Sequence, residues 1–390
     1  MKKRILAILL CVTMILALAG SVMTASADEI RTTDKTELVI GADYEPTSYD
    51  YYHAEADAQV SILSIVYEKL FTWVGDEIVP QLAESYEFTG DDGLDLVIKL
   101  KEGITFTNGD PLVAEDVLFT MEKNLSELGV AVKFSCLDLE NSYAQDDTTV
   151  VLHLFDYDNT LIPYLAGEFG NILDKTYIEA EGWDAAFEQN PVGTGPYVID
   201  SWNMGDSISL VRNEAYWGDE EEQPFERITF KFFSEDSIRS LEFEKGNLDV
   251  AFLGTAASVD RLSGKEADGI RVASIPLTKI GDFCMSTIIE DETFMDENKR
   301  LAVAYAIDVE AIVEAIAGST ANAATSIIPR GCVGYQNMAY EYNPELAKEY
   351  LAKAGCPDGF TFTMEVANNQ QLNLELAEAI QAYLSMVGIN

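Results

Sequence analysis

A glycine-rich stretch, NPVGTGPYVIDSW at 190–202, is the segment with the strongest superficial likeness to a phosphate-binding loop. A P-loop needs the spacing Gly-x4-Gly-Lys-Ser/Thr, in which the lysine neutralises phosphate charge. Here Pro196 follows Gly195 directly and has no backbone N–H to donate, and the residues after it predict a strand instead of a helix N-terminus. We therefore interpret Gly193, Gly195 and Pro196 as structural. The glycines would permit positive φ in a sharp turn, and the proline would fix the start of the strand.

Residues that usually carry out catalysis or hold metals are scarce. The chain has only two histidines, His53 and His153, which excludes most His-dependent triads and zinc clusters. We interpret His153, inside the predicted strand 151–154, as structural, whereas His53 lies in a tyrosine-rich loop and is a candidate ligand contact. No GxSxG motif, HExxH motif or EF-hand spacing occurs. We expect no enzyme activity, no cofactor and no metal site.

The composition limits the partners. The 390 residues include 67 Asp and Glu against 25 Lys and Arg, for a net charge of −42. Nucleic acid is excluded as a partner, because phosphate binding needs clustered Lys and Arg. The acidic balance is typical of a solvated secreted surface and weakly favours neutral or cationic ligands.

The N-terminus has the pattern of a secretory signal peptide over 1–27. A basic start and an apolar run precede the small residues Ala25 and Ala27. Ser21 stands where the lipobox of a lipoprotein has its lipid-carrying Cys. We therefore expect an exported protein without a lipid anchor, in the periplasm or at the cell surface.

Four cysteines follow the predicted cleavage site, and none forms a CxxC pair, which argues against a zinc ribbon or a thioredoxin-type site. Export permits disulfides, and Cys332 with Cys356 is the pair we would first expect to bridge.

Hydrophobic periodicity predicts a mixed α/β chain with more than one lobe. The predicted strands cover 37–41, 94–100, 149–154, 197–202, 207–212, 228–233, 248–253 and 360–366. The predicted helices begin near 60, 110, 237, 296, 308, 343 and 372, with Asp296, Asp308 and Asn343 as N-caps. The final residues after Gly388 look like the start of another strand, so we expect the sequence to be a fragment that lacks its C-terminal part.

Three stretches, in order, resemble the landmarks of one family. They are EIVPQLAESYEFTGDDGLDLVIKLKEGITFTNGDPLVAEDVLFTMEK at 77–123, the 190–202 motif followed by LVRNEAYWG at 210–218, and NKRLAVAYAID at 298–308. Together they resemble the extracellular solute-binding proteins of the peptide-binding class, family five, which serve ABC importers. Val113 departs from the pattern, because the family commonly has a helix-capping Thr or Ser there. Tyr51 stands in place of the usual Pro of a Ser-Leu-Asp-Pro loop.

The resemblance implies a bilobal periplasmic-binding-protein (Venus flytrap) fold of the α/β class. Lobe one would comprise 28–70 and 192–275, with an inserted α+β subdomain at 71–191, and an incomplete lobe two would span 276–390. In this family the two lobes close on an extended peptide or similar solute. The resemblance implies a monomeric receptor that delivers oligopeptides to membrane permease subunits, and places an Asp that pairs with the peptide amine in the missing part.

We expect ligand contacts from three segments. The residues are Tyr51, Tyr52, His53 and Glu55 in the loop, Thr255 and Ala256 after the strand 248–253, and Cys284, Met285 and Ser286 at the crossover to lobe two. The alternatives are loop packing for the two tyrosines, a first-turn helix carboxylate for Glu55, and core packing for Cys284 and Met285. The alternative ligands are dipeptides, oligosaccharides or metal chelates such as nickel complexes. An extracellular peptidase is a further alternative, against which the lack of a nucleophile-and-base set argues.

Overall fold

The computed structural model describes residues 35–53, 57–75, 77–90, 93–188, 190–219, 222–273, 280–287, 292–330, 332, 334–366 and 371–390. The predicted signal peptide lies outside these residues. The chain forms two compact units that meet in sequence between Phe252 and Leu253. The predicted division into a discontinuous first lobe, an insertion and a second lobe stays a prediction.

Both strands and helices form the first unit. The strands are β1 (Glu37–Ala42), β2 (Phe71–Val74), β3 (Glu77–Pro80), β4 (Ala83–Thr89), β5 (Asp95–Leu100), β6 (Leu137–Asp146), β7 (Thr149–Leu154), β8 (Tyr197–Asn203), β9 (Ser207–Arg212), β10 (Arg227–Phe232) and β11 (Val250–Ala251). The helices are α1 (Asp57–Val66), α2 (Ala114–Ser126), α3 (Leu161–Leu165), α4 (Lys175–Glu181), α5 (Trp183–Glu188) and α6 (Asp236–Glu244). The α/β class predicted from the sequence is confirmed.

The first sheet has the strand order β11-β1-β10-β9-β8. β1 runs parallel to β10 and β11, whereas β8, β9 and β10 are antiparallel neighbours. The predicted β8–β9 hairpin is confirmed, and Gly205 in its turn has a φ of 77° that favours glycine. Only Val250 and Ala251 of the predicted buried strand 248–253 join the sheet, and Val250 is exposed. The prediction of a buried strand is wrong there, because these residues pair with β1 alone at the edge.

A second sheet, of order β4-β5-β7-β6, is antiparallel and shares a core with α2. His153 of β7 lies opposite Asp95 of β5, with its Nδ1 2.6 Å from Oδ1 of that carboxylate, in the structural place that the sequence predicted. Helix α2 begins at Ala114, later than predicted. Its N-cap, Val113, offers no side-chain acceptor, and instead its own N–H donates to Asp116 Oδ2 at 2.8 Å.

The second unit is built mainly from helices: α7 (Ala256–Leu262), α8 (Glu297–Ala306), α9 (Val309–Ile316), α10 (Pro344–Lys353) and α11 (Gln371–Ser385). The predicted N-caps are confirmed. Asp296 accepts from Asn298 N–H at 2.8 Å, Asp308 from Ala311 N–H at 3.0 Å, and Asn343 from Leu346 N–H at 3.0 Å. These caps satisfy backbone donors that have no partner inside the helix.

Two expectations for the second unit need correction. Residues 360–366 form no strand ladder, because their backbone pairing is with Asn390 alone: Phe362 N–H donates to Asn390 O, and Asn390 N–H donates to Phe360 O. The expected Cys332–Cys356 disulfide is absent, and both residues are half-buried free thiols. Within the described residues, no helix combines the length and the apolar character needed to cross a bilayer.

Candidate functional site

The tyrosine-rich loop after β1 is held in place by the carboxylate of Asp50. One oxygen of Asp50 accepts from the backbone N–H of Tyr52 at 2.9 Å, and the other accepts from Trp183 Nε1 at 3.0 Å. Gln59 of α1 donates to the carbonyl of Ser48 at 3.0 Å. The loop is therefore tied to two helices, α1 and α5, before it reaches its short 3₁₀ turn at Tyr51–His53.

Tyr51 and Tyr52 stack on one another within that turn, with ring centroids 4.5 Å apart, but they have different environments. Tyr51 is 2% exposed and donates to the carbonyl of Asn171 at 3.2 Å. Tyr52 is half-buried between the rings of Phe169 and Trp183, and its hydroxyl donates to Asn124 Oδ1 at 2.6 Å. Burial raises the pKa of both phenols, so both stay neutral hydrogen-bond donors. The burial of Tyr51 favours the loop-packing alternative for that residue.

The other two loop residues can be placed only in part. The backbone of His53 closes the 3₁₀ turn, and its side chain lies outside the described residues, as does all of Glu55. Their predicted ligand contacts stay predictions.

Thr255 and Ala256 begin the helix α7 of the second unit. Thr255 is exposed, and its hydroxyl accepts from the backbone N–H of Ser258 at 3.3 Å as the helix N-cap. Ala256 is the first helical residue and is half-buried. The local sequence explains this start, since a Thr that precedes small residues is a favourable N-cap.

The three residues of the segment 284–286, in the same unit, differ in their exposure and packing. Cys284 is exposed, and its thiol donates to Asp282 Oδ2 at 2.7 Å, which raises the pKa of the thiol. Met285 packs against the core cluster of the second unit, so the core-packing alternative holds for part of its side chain. Ser286 is half-buried. Thr255, Ala256 and these three residues lie in the second unit, and the two tyrosines lie in the first.

Within the described residues, no group of three or more His, Cys, Asp or Glu side chains is arranged to hold a metal ion. Thr255 and Ser286 carry hydroxyl groups that can donate and accept hydrogen bonds, and Tyr52 carries an aromatic ring.

Comparison with known proteins decides the family. The model of the bacterial extracellular solute-binding proteins, family 5, middle region, matches residues 77–390. The chain belongs to this family. The family prediction made from the three sequence landmarks is confirmed.

Individual relatives of this solute-binding protein agree. The glutathione-binding protein GsiB of Escherichia coli is 26% identical over 360 residues, which are 90% of this chain and 68% of that protein. The periplasmic binding protein DppA of Helicobacter pylori, solved with the peptide STSA, has a TM-score of 0.77 at 24% identity, and the match covers 91% of this chain and 72% of that one. NikZ of Campylobacter jejuni, solved with Ni(L-His), has a TM-score of 0.72 at 22% identity and coverages of 92% and 73%. The predicted periplasmic-binding-protein fold is confirmed, as is the function of an ABC-importer solute-binding protein.

The 193–196 motif of this solute-binding protein has a structural role, but for a different reason from the one predicted. Neither Gly193 nor Gly195 has positive φ. Instead, both lie against the end of α1: a Cβ at Gly193 would be 2.1 Å from Val66 O, and one at Gly195 would be 2.3 Å from Ile65 O. Gly195 N–H also donates to Val66 O at 2.9 Å. Glycine is required here by close backbone approach and not by backbone conformation.

Sequence reasoning missed the buried carboxyl group beside this turn. Glu68 is 1% exposed, and its two oxygens accept from Trp217 Nε1 at 2.8 Å, Thr194 Oγ1 at 2.9 Å, Tyr216 OH at 2.9 Å and Gln81 Nε2 at 3.2 Å. A Glu among 67 acidic residues carries no signal by itself. Its place at the end of an apolar helical pattern, between Tyr67 and Leu70, was the one hint of burial.

Proposed function

We propose that this solute-binding protein captures oligopeptides outside the cytoplasmic membrane and delivers them to the permease subunits of an ABC importer. The observation that carries the proposal is the family match over residues 77–390, together with relatives that bind peptides. Glutathione is itself a short peptide, so both the GsiB and the DppA ligands belong to this class. Export by the predicted signal peptide, release without a lipid anchor and a monomeric state belong to the same proposal, as does the lack of enzyme activity.

Main-chain recognition explains how such a receptor can accept many sequences. Hydrogen bonds to peptide N–H and C=O groups are indifferent to side chains, and aromatic walls provide apolar contact for varied residues. The predicted contacts Tyr52, His53, Glu55, Thr255 and Ser286 would provide such groups. We assign Tyr51 the supporting part, because its hydroxyl and ring are already engaged inside the first unit.

Native mass spectrometry of the gently purified protein tests the ligand class. We expect a heterogeneous set of co-purified peptide masses that disappears after partial unfolding and refolding. A single sugar mass would refute the oligopeptide proposal. Incubation of the stripped protein with unlabelled tri- to pentapeptides should restore a bound mass, and intact recovery of these peptides separates binding from peptidase activity.

A metal chelate is the second candidate, and the NikZ neighbour solved with Ni(L-His) favours it. The described residues have no cluster of metal-ligating side chains, so such a chelate would have to bring its own ligands. A bound mass that contains nickel and histidine, with no peptides, would select this candidate over the first.

The contact assigned to Cys284 has its own test. Among the four cysteines that the structure describes, Cys284 is the exposed one, and Cys136, Cys332 and Cys356 are half-buried. Bound peptide should slow the reaction of Cys284 with a maleimide and leave the other thiols unaffected. A Cys284→Ser variant identifies the signal. Equal labelling rates with and without saturating peptide would remove Cys284 from the site.

A further inference from the structure

One hydroxyl group in the first unit lies between two carboxyl groups. Tyr216 OH is 2.9 Å from Glu68 Oε1 and 2.6 Å from Glu222 Oε2, and both distances are those of hydrogen bonds. A phenol has one proton to donate and can therefore donate to only one of these two oxygens. If both carboxyl groups were ionised, the other contact would set lone pair against lone pair.

We propose that Glu68, Tyr216 and Glu222 form a binding site for one proton in the folded protein at neutral pH. With that proton present, one carboxyl group donates to the Tyr216 oxygen, and Tyr216 donates to the other carboxylate. Both short contacts then become hydrogen bonds.

The other donors around Glu68 do not remove the need for this proton. Trp217 Nε1 and Thr194 Oγ1 both donate to Oε2, whereas Gln81 Nε2 shares Oε1 with Tyr216. These bonds stabilise negative charge on Glu68 and so work against protonation. They give the Tyr216 oxygen no second proton, however, and its contacts with Glu68 and Glu222 need two. One of the two carboxyl groups must therefore supply a proton.

Two lysines lie near Glu68 in the described part of the first unit. The ammonium of Lys101 lies over the face of the Trp217 ring, 4.7 Å from its centre, whereas Glu68 accepts from Nε1 at the edge of that indole. Lys69 follows Glu68 in the chain, but burial lowers the pKa of its ammonium, and the charge that acts on it is Glu168. Among the described residues, Glu222 is a charged neighbour that acts on Glu68, and it has the same sign.

Burial and electrostatics support the geometry. Burial raises the pKa of Glu68 to about 7, with donation from Trp217, Thr194 and Tyr216 lowering it and the Glu222 charge raising it. Burial also raises the pKa of Tyr216, which excludes a phenolate as the acceptor that both carboxyl groups would need.

The site has a consequence for the first unit, because it joins segments that are far apart in sequence. Glu68 follows α1, Thr194 lies in the 193–196 turn, and Tyr216 lies 148 residues from Glu68. The site forms only when these segments come together, so the unfolded chain keeps the ordinary carboxyl pKa of 4.5, whereas the folded pKa of Glu68 is about 7. Folding takes up a proton at pH values between these two. A folded state that holds more protons loses stability as pH rises through this window.

The test compares pH profiles of unfolding for the full chain and a Glu222→Gln variant. The amide of Gln can donate to the Tyr216 oxygen without an added proton, which leaves Tyr216 free to donate to Glu68, and the substitution removes the like charge. Both changes lower the pKa of Glu68, so the variant should take up less proton on folding. All four tryptophans, at 73, 183, 202 and 217, precede Phe252, and their fluorescence reports on the first unit. Between about pH 5 and pH 7, we expect the unfolding constant of the wild type to rise more steeply than that of the variant, by at most about tenfold per pH unit.

Two further measurements complete the design. Glu226→Gln removes an exposed carboxylate four residues away and should leave the wild-type slope unchanged. Infrared difference spectra at pH 6 should show a stronger carbonyl stretch of neutral carboxylic acid in the wild type than in Glu222→Gln, over a band from Asp116 that both proteins share, and the excess should be lost at pH 8. Parallel unfolding profiles for wild type and Glu222→Gln, or equal neutral-acid bands in the two proteins at pH 6, would overturn the proposal.

Discussion

Replacement of Gly195 by alanine should destabilise the first unit severely, although alanine adds only one methyl group. A Cβ at this position would be 2.3 Å from Ile65 O, 2.6 Å from Val66 O and 2.8 Å from Val66 C. All three atoms belong to the backbone at the end of α1, so no side-chain rotation can relieve the contacts. The turn and the helix end must separate.

The magnitude follows from what that separation disrupts. Gly195 N–H donates to Val66 O at 2.9 Å, and this bond is lost if the chains move apart by the 1 Å or so that ordinary contact requires. A buried donor left without its partner costs roughly 1–3 kcal/mol, and overpacking of a close-packed site costs roughly 1–3 kcal/mol. We expect the free energy of unfolding to fall by about 3–5 kcal/mol.

Urea unfolding followed by tryptophan fluorescence measures this loss in the first unit. Gly205→Ala is the matched control. Gly205 lies in the β8–β9 turn of the first unit, with a φ of 77° and no atom within 4 Å of an added Cβ. It should lose only the roughly 1–2 kcal/mol of a non-glycine residue in left-handed conformation. If Gly195→Ala were no more destabilised than Gly205→Ala, the argument from close approach would be refuted.

Three smaller perturbations test other local arguments. Val113→Thr should raise stability by about 0.5–1 kcal/mol in urea unfolding, because its hydroxyl could accept from the backbone N–H of Glu115 or Asp116 at an N-cap that lacks a side-chain acceptor; no gain would show that the Val113 carbonyl, which accepts from Asp116 N–H at 3.0 Å, already supplies the cap. Asp308→Ala should cost about 1 kcal/mol through loss of the α9 cap and should speed amide exchange within α9 selectively, while Asp308→Asn should retain the cap. Trp183→Phe should cost about 1–3 kcal/mol, because it leaves one oxygen of the Asp50 carboxylate without its indole donor, and an unchanged unfolding midpoint would contradict that role.

Features that depend on a few consecutive residues could be predicted from the sequence. Asp296, Asp308 and Asn343 are N-caps because the side chain and the backbone N–H that it binds lie two or three residues apart. The β8–β9 hairpin likewise depends on two alternating runs and a short link with Gly205. In these cases the local pattern contains both partners of the interaction, so tertiary packing need not be known.

Features that join distant segments could not be predicted in the same way. The motif at 193–196 looked structural, but the helix end that it approaches lies about 130 residues earlier, so the reason for its glycines was read wrongly as backbone conformation. Glu68 and Trp217 are 149 residues apart. The predicted ligand residues have the same difficulty, because a binding site is defined by which segments meet, and only the packing of Tyr51 and Met285 could be resolved within their own units.

The buried carboxylates of the first unit show how a chain with so few cations satisfies internal negative groups. Asp50 accepts from Trp183 and a backbone N–H, Asp116 from two backbone N–H groups, and Glu68 from neutral side chains alone. Neutral donors compensate burial less completely than an ion pair would, and burial accordingly raises the pKa of Asp116 to about 6 and that of Glu68 to about 7. Because these interactions involve no exposed pairs of opposite charge, screening by salt acts on them weakly. The stability of this unit is therefore coupled to pH through these two interior acids.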